Sequence, residues 1–96
     1  MPKGYIIGHI TVRDAEAYKE YVRLDTPLMV DRHGGTFLIR GGPSELKEGE
    51  AHARHVLIEF ESYAAALAAY NDPEYQDVAE IRRRTADSTM IVVEGV

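Results

Sequence analysis

The order of strand-like and helix-like segments constrains the fold of this 96-residue chain more than any other feature. Four stretches are rich in β-branched and aromatic residues, and they lie at residues 3–12, 36–40, 54–60 and 89–93. Helix-forming stretches separate the first from the second and the third from the fourth. The resulting order β-α-β-β-α-β is the split βαβ pattern, which predicts an α+β, ferredoxin-like domain with a four-stranded antiparallel-type sheet in the order 4-1-3-2.

Capping residues mark where the helices begin. Asp14 and Ser62 are good N-caps ahead of helix-forming residues, and Asp72, followed by a proline, marks a further helix start. Pro27 does not fit inside a regular helix, so a kink or a restart is expected beside it. With 45% apolar residues and no compositional break, residues 1–96 are expected to form one domain around one core.

Composition and missing motifs exclude several classes of function. A formal charge of −5 argues against a nucleic-acid partner. The sequence has no run of about 18 apolar residues and no signal-peptide pattern, so no membrane partner is expected. The absence of cysteine is compatible with a cytoplasmic location. No dinucleotide fingerprint, Walker loop or nucleophile elbow occurs, so we expect no cofactor.

The histidine spacing also argues against a metal. His52 and His55 are three residues apart, and an odd offset along a strand directs two rings to opposite faces of the sheet. A shared zinc ion is therefore not expected at this pair.

The predicted sheet has one face that the two helices do not cover. The face that carries Leu38 and Leu57 is too apolar to remain in water. A second copy of the chain, packed sheet against sheet about a two-fold axis, is the simplest cover. The sequence therefore predicts a homodimer with Leu38 and Leu57 in its interface.

Glu59 interrupts the strand-like run RHVLIEF at residues 54–60. A carboxylate in such a run has to be paired with a cation, protonated or kept hydrated. With the first and third strands taken as parallel neighbours, Glu59 is expected to reach His9, as a carboxylate that orients a general base. The alternative is a polar contact in the dimer interface, in which Glu59 pairs with Arg40 across the two subunits.

Asp25 is a second carboxylate at a position where apolar residues are expected. It shares a helical stripe with Tyr18 and Tyr21, which predicts a cavity between helix and sheet lined by phenols that bind an aromatic ligand. The alternative is that Asp25 caps the segment that restarts at Pro27.

Four segments resemble a known family nearly from end to end. They are GYIIGHITVRDAEAYKEYV, HGGTFLIRGG, IEFESYAAALAAYNDPEYQ and the closing VVEG. The chain is similar to the bacterial domain of unknown function 1330 family, within the dimeric α/β-barrel superfamily. This resemblance implies a ferredoxin-like subunit, two of which form a dimeric α/β barrel through their sheets. More distant superfamily members include cofactor-free monooxygenases, heme-degrading enzymes, dye-decolorising peroxidases, muconolactone isomerases and effector-binding domains, so the fold does not select a function.

The resulting functional hypothesis is a homodimer that binds a small aromatic or enolisable molecule. As an enzyme it would be a cofactor-free oxygenase or isomerase, with His9 as the base, Glu59 orienting it, and Tyr18 and Tyr21 positioning the ligand. Asp25 would line the same ligand site. The alternative is a non-catalytic dimer that acts as a ligand sensor or a structural interaction module.

Overall fold

The computed structural model describes residues 2–96 of the chain. Each predicted strand and helix is present. The order of the elements along the chain is β1 (Gly4–Val12), α1 (Ala15–Thr26), a π-helical segment (Pro27–Arg32), β2 (Thr36–Arg40), β3 (Arg54–Phe60), α2 (Tyr63–Asn71), α3 (Pro73–Thr85) and β4 (Ala86–Glu94).

The four strands form one sheet in the order β2-β3-β1-β4, which confirms the predicted 4-1-3-2 arrangement read from the other edge. All three neighbouring pairs are antiparallel, including β1 with β3. The expectation that β1 and β3 run parallel is therefore wrong. The helical crossover makes β1 and β2 run the same way, and β3 turns back from β2, so it opposes both strands.

The predicted caps begin all three helices. Asp14 Oδ1 accepts a hydrogen bond from the Ala17 N–H at 3.2 Å, and Ser62 Oγ accepts one from the Ala65 N–H at 3.1 Å. Asp72 begins α3 in the same way. These bonds satisfy backbone donors that the first turn of a helix leaves unpaired.

The chain continues past Pro27 as a π-helical segment rather than breaking there. Proline has no N–H to give to a regular helix, and the wider turn accommodates it. The segment keeps Leu28 and Met29 buried and ends at His33, whose backbone N–H donates to the Leu28 carbonyl at 3.2 Å. Gly34 follows with φ of +70°, which glycine adopts without strain.

The helices cover one face of the sheet and leave the other face open. The main core lies between them, where Ile6, Ile58, Phe60 and Tyr75 are almost fully buried. The uncovered face, here called the open face, carries apolar side chains that are about half exposed. They are Leu38 at 51%, Ile39 at 48%, Ile91 at 43% and Val93 at 39% exposure.

A β-bulge in β2 changes which face its last residues occupy. Phe37 pairs with Ile58 and Ile39 pairs with Leu57, so Leu38 is the extra residue. Arg40 then lies opposite Val56, and both residues line the space under the helices. A bulge shifts the alternation of the strand by one residue, so the side chains that follow it point to the opposite face. Arg40 is therefore on the helix-covered face, and not on the open face where we expected it.

No helix within residues 2–96 is long and apolar enough to cross a membrane.

Candidate functional site

A cavity lies between the helices and the covered face of the sheet, and is called here the helix-sheet cavity. Both residue groups that the sequence assigned to a ligand site, the tyrosines of α1 and Asp25, line it. The aromatic and charged side chains around it are Tyr18, Tyr21, Tyr75, Asp25, Arg40 and Arg54, and aliphatic side chains of the sheet form the floor. Such a mixture of apolar walls and few polar groups is typical of small-molecule sites.

The helix-sheet cavity is narrow in this conformation. Its interior volume is only about 20 Å³. That is room for one or two water molecules. Arg40 is exposed and belongs to the lining, so its side chain can move outward without breaking the core. A ligand larger than a few atoms requires such a movement.

Asp25 is the unusual residue of this cavity. It is 5% exposed, and within residues 2–96 its carboxylate makes no hydrogen bond. Burial raises the pKa of Asp25 to about 6, although the charges of Arg40 and Arg82 act in the opposite direction. Because the carboxylate accepts no backbone N–H, Asp25 does not cap the segment that begins at Pro27.

Three tyrosines surround Asp25 from two helices. The hydroxyls of Tyr21 and Tyr75 are 2.7 Å apart and share a buried hydrogen bond. The rings of Tyr18 and Tyr21 lie 5.5 Å apart, centre to centre. Burial raises the pKa of each of the three phenols, so they remain neutral at ordinary pH. Neutral phenols can donate hydrogen bonds to an oxygen atom of a bound molecule.

Arginines contribute positive charge on the same side of the sheet. The Arg40 guanidinium lies 3.9 Å from the centre of the Phe37 ring and donates to the Thr26 hydroxyl. The Arg54 guanidinium lies 5.9 Å from the centre of the Tyr18 ring, a cation–π distance.

Arg82 lies behind the tyrosines and is 2% exposed. Its guanidinium carbon is 5.7 Å from the centre of the Tyr21 ring, and its Nη1 donates to the Ser88 hydroxyl at 2.6 Å. The positive charge of Arg82 therefore acts on the cavity from within the protein.

His9 and Glu59 do not meet, which corrects the expected base and orienter pair. In the antiparallel register His9 lies opposite His55, and Glu59 lies opposite Tyr5. Four residues therefore separate the two along the sheet, on the order of 13 Å. Nδ1 of His9 is 2.9 Å from Nδ1 of His55, and the Tyr5 hydroxyl donates to Glu59 Oε2 at 3.1 Å. Both groups lie on the open face, away from the helix-sheet cavity.

His52 and His55 lie in the same cleft, where the sequence predicted opposite faces. The strand begins only at Arg54, so the alternation of a strand does not reach His52. His52 Nδ1 lies 2.8 Å from the Thr11 hydroxyl. In the part of the chain that the structure describes, His, Cys, Asp and Glu side chains form no group of three that could hold a metal ion.

Sequence reasoning missed Arg54, Arg82 and Tyr75 as site residues. The position of each along its strand or helix could have identified it. Arg54 is two residues before Val56 and therefore belongs to the same face of its strand. Arg82 follows Tyr75 by seven residues, which is two turns of a helix, so both point to the same side.

Comparisons with known proteins support the family and the fold. The model of the family described as Domain of unknown function (DUF1330) matches residues 3–96. A search of curated proteins gave no match. A protein of unknown function from Rhodopseudomonas palustris is similar, with 24% identity and a TM-score of 0.76 over 99% of this chain and 83% of that chain.

Two further solved structures have the same fold. SnoaB, a cofactor-independent oxygenase from Streptomyces nogalater, has 18% identity and a TM-score of 0.65, over 97% of this chain and 92% of that chain. A dimeric ferredoxin-like protein of unknown function from Thermobifida fusca has 12% identity and a TM-score of 0.61, over 97% of this chain and 91% of that chain. The match to the family model covers all but the first two residues, so the chain belongs to the DUF1330 family of ferredoxin-like proteins.

Proposed function

We propose that this protein binds a small aromatic or enolisable molecule in the helix-sheet cavity and that Asp25 takes a proton from it. The observation that carries the proposal is the Asp25 carboxylate itself, which is buried beside a cavity, makes no hydrogen bond and has a pKa of about 6. A titratable group with a shifted pKa in a cleft is a frequent feature of functional sites.

The chemistry is cofactor-free proton transfer. The ionised Asp25 removes a proton from a carbon next to a carbonyl group, and the electrons of the broken C–H bond form an enolate. A base whose pKa lies near the working pH is well matched to this step. The neutral phenols of Tyr18 and Tyr21, together with the charge of Arg54, would stabilise the enolate oxygen.

Two outcomes of the enolate are compatible with this site. Return of the proton to a different carbon completes an isomerisation. Reaction of the enolate with dissolved O₂ begins an oxygenation, and a cofactor-independent oxygenase is among the structures that share this fold. In either case Asp25 takes the role of the base that the sequence assigned to His9.

We further propose that the open face is covered by a second copy of the chain. Its half-exposed Leu38, Ile39, Ile91 and Val93 form an apolar surface that water solvates poorly. The interface would then also contain Leu57, His9 and Glu59. The polar atoms of His9 and Glu59 already have partners within the chain, in His55 and Tyr5.

A second candidate is a non-catalytic dimer that senses a ligand or serves as an interaction module. The narrowness of the cavity favours the interaction module, since an interior of about 20 Å³ admits no ligand larger than a few atoms unless Arg40 moves. A ligand sensor would instead bind its molecule without removing a proton from it.

Deuterium exchange distinguishes the two candidates. The probe is 2-tetralone, an aromatic ketone with acidic α-hydrogens, incubated in D₂O and followed by proton NMR. The wild type should accelerate the loss of the α-hydrogen signal, and Asp25→Asn should lower the protein-dependent rate by about 10²-fold or more. Glu16→Gln, which changes an exposed carboxylate of the same helix, should keep the wild-type rate. Exchange no faster than in buffer, or full activity in Asp25→Asn, would contradict the proposal.

A further inference from the structure

The helix-sheet cavity carries more positive than negative charge. Arg40 and Arg54 line it and Arg82 lies directly behind it, whereas Asp25 is the one carboxylate among the described residues that line it. The chain as a whole has a formal charge of −5, so this local excess opposes the charge of the protein. A pocket with positive potential inside an acidic protein is suited to an anion.

Two of these arginines have buried N–H groups without a partner. Within residues 2–96, Nε of Arg54 and Nε and Nη2 of Arg82 make no well-aligned hydrogen bond. Arg82 nevertheless has the hydroxyls of Tyr21 and Tyr75 beside it: burial acts to lower the pKa of Arg82, and these phenols raise it. Arg82 is 2% exposed, so bulk water does not reach it. Buried donors of folded proteins nearly always have an acceptor. Nε of Arg54, a residue that lines the cavity, is therefore the donor that an acceptor from outside the chain can use.

Asp25 is not that acceptor. It feels the charge of Arg82, but no arginine donates a hydrogen bond to it. A structural ion pair would bring the two groups together, because a buried charge is costly unless it is both paired and hydrogen-bonded. Since the pKa of Asp25 is about 6, a fraction of the carboxyl groups is also protonated near neutral pH, which increases the positive excess.

The backbone around Arg54 is shaped to receive its guanidinium. A Cβ atom at position 41 would lie 2.1 Å from Nη1 of Arg54, and Gly41 has φ of +70°. The conformation therefore favours glycine there, and the guanidinium of Arg54 occupies the space that a side chain at position 41 would fill.

We propose that the cavity binds a small organic acid whose carboxylate lies against Arg54, with its remaining atoms among Tyr18, Tyr21 and Tyr75. The inference rests on the proposed function, because it names the chemical class of the ligand for the same cavity. Planar guanidinium groups match the two oxygens of a carboxylate in geometry and charge. Arg40, which is exposed, provides the movable side of the cavity.

The test compares acids with neutral amides of the same shape. Acetate with acetamide, and benzoate with benzamide, are titrated into the wild-type chain at pH 7 and followed by amide NMR shifts. Each acid should bind at least about tenfold more tightly than its amide, with shifts at Tyr18, Asp25 and Tyr75. Arg54→Gln should remove most of this preference, and Arg54→Lys should restore part of it. Arg84→Gln, which removes an exposed arginine of α3, is the matched control and should keep the preference.

The outcomes separate this inference from the proposed function. Equal affinity for acids and amides would overturn the inference, because ordered water would then suffice for the free N–H groups, while exchange of 2-tetralone would still support the proposed function. The inference is also overturned if none of the four compounds binds, or if Arg84→Gln lowers acid affinity as much as Arg54→Gln. Loss of exchange activity together with normal acid binding would instead contradict only the proton transfer.

Discussion

The buried Asp25 is expected to cost the fold stability, and the proposed proton transfer would be the reason for retaining it. An isolated carboxylate that is 5% exposed is held in its charged form at neutral pH without a hydrogen bond. Side chains of this kind are retained where chemistry needs them, and a neutral replacement often stabilises the fold. The helix stripe of α1 was enough to predict from the sequence that Asp25 joins Tyr18 and Tyr21. That the Asp25 carboxylate makes no hydrogen bond was not predictable, because this depends on how side chains of other elements pack around it.

Asp25→Asn should therefore stabilise the protein at high pH. The folded pKa of about 6 lies above the ordinary value of 3.8, so the folded state binds more protons between these values and stability falls as pH rises from about 4 to 6. Above pH 6 the destabilisation caused by the ionised Asp25 reaches its full value. A pKa difference of two units limits this destabilisation to about 3 kcal/mol. Urea unfolding at pH 8 should show a gain of about 1–3 kcal/mol in the variant. A loss of stability at pH 8 would contradict this account of Asp25.

We expect Gly41 to act as a positioning residue for Arg54, because its missing side chain leaves room for the guanidinium. Gly41→Ala places a Cβ atom where the guanidinium lies and strains a backbone with φ of +70°. We expect benzoate affinity to fall by about tenfold with benzamide affinity unchanged, because the guanidinium is displaced. Gly42→Ala is the matched control, since a Cβ atom there meets no atom within 4 Å. Equal effects of the two substitutions on benzoate binding would show that Gly41 does not position Arg54.

At the scale of elements, the bulge at Leu38 determines what the site contains. A strict alternation along β2 puts Leu38 and Arg40 on one face, which is why the sequence predicted both for the dimer interface. The extra residue leaves Leu38 exposed and turns Arg40 toward the helices. A bulge has no reliable signature in five residues, because it depends on how the partner strand pairs. The direction of β1 relative to β3 was also misjudged, although the topology itself required it to be antiparallel.

Asp72 connects the π-helical segment to α3. Its Oδ2 lies 2.7 Å from His33 Nε2 and 3.2 Å from Arg32 Nη1, and its Oδ1 accepts the Glu74 N–H. The hydrogen bond with His33, then the backbone N–H and Arg32, lower the pKa of Asp72 to about 2. The sequence predicted Asp72 only as a helix cap and His33 only as the end of a helix. Their pairing spans 39 residues of chain and becomes visible only in the folded structure.

This connection should make the protein sensitive to acid. Because the folded pKa of Asp72 is lowered, its stabilising contribution is present above pH 4 and is lost as pH falls toward 2. Unfolding by urea should show that the wild type loses stability more steeply between pH 4 and pH 2 than Asp72→Asn does. Parallel curves for the two proteins would mean that the carboxylate of Asp72 does not contribute as described.

At the scale of the whole molecule, the open face is the reason to expect a second chain, because its apolar side chains are exposed. The sequence predicted the fold and the presence of an uncovered apolar face, because both follow from the order of elements and from alternation along the strands. Ile91 and Val93 lie on this face at 43% and 39% exposure. Burial of such a surface against its own copy would close two sheets into one assembly.

Ile91→Lys should therefore produce a monomer. A lysine at the centre of an apolar interface would lose its hydration without gaining a partner, whereas in a single chain the same position is already open to water. Light scattering after size exclusion should give twice the chain mass for the wild type and the single chain mass for the variant. Val30→Lys, at a position of 37% exposure on the π-helical segment, should remain dimeric. A wild type that is monomeric at micromolar concentration would contradict the predicted assembly.

We propose that the buried, unpaired Asp25 faces the site where an organic acid binds. Carbon-13 NMR of the Asp25 carboxyl group measures this directly, as a titration with and without benzoate. We expect a pKa of about 6 for Asp25 in the free protein and a higher value with benzoate, because a second anion in the cavity opposes ionisation of the first. A pKa in the ordinary range near 4 that does not move when benzoate is added would contradict it.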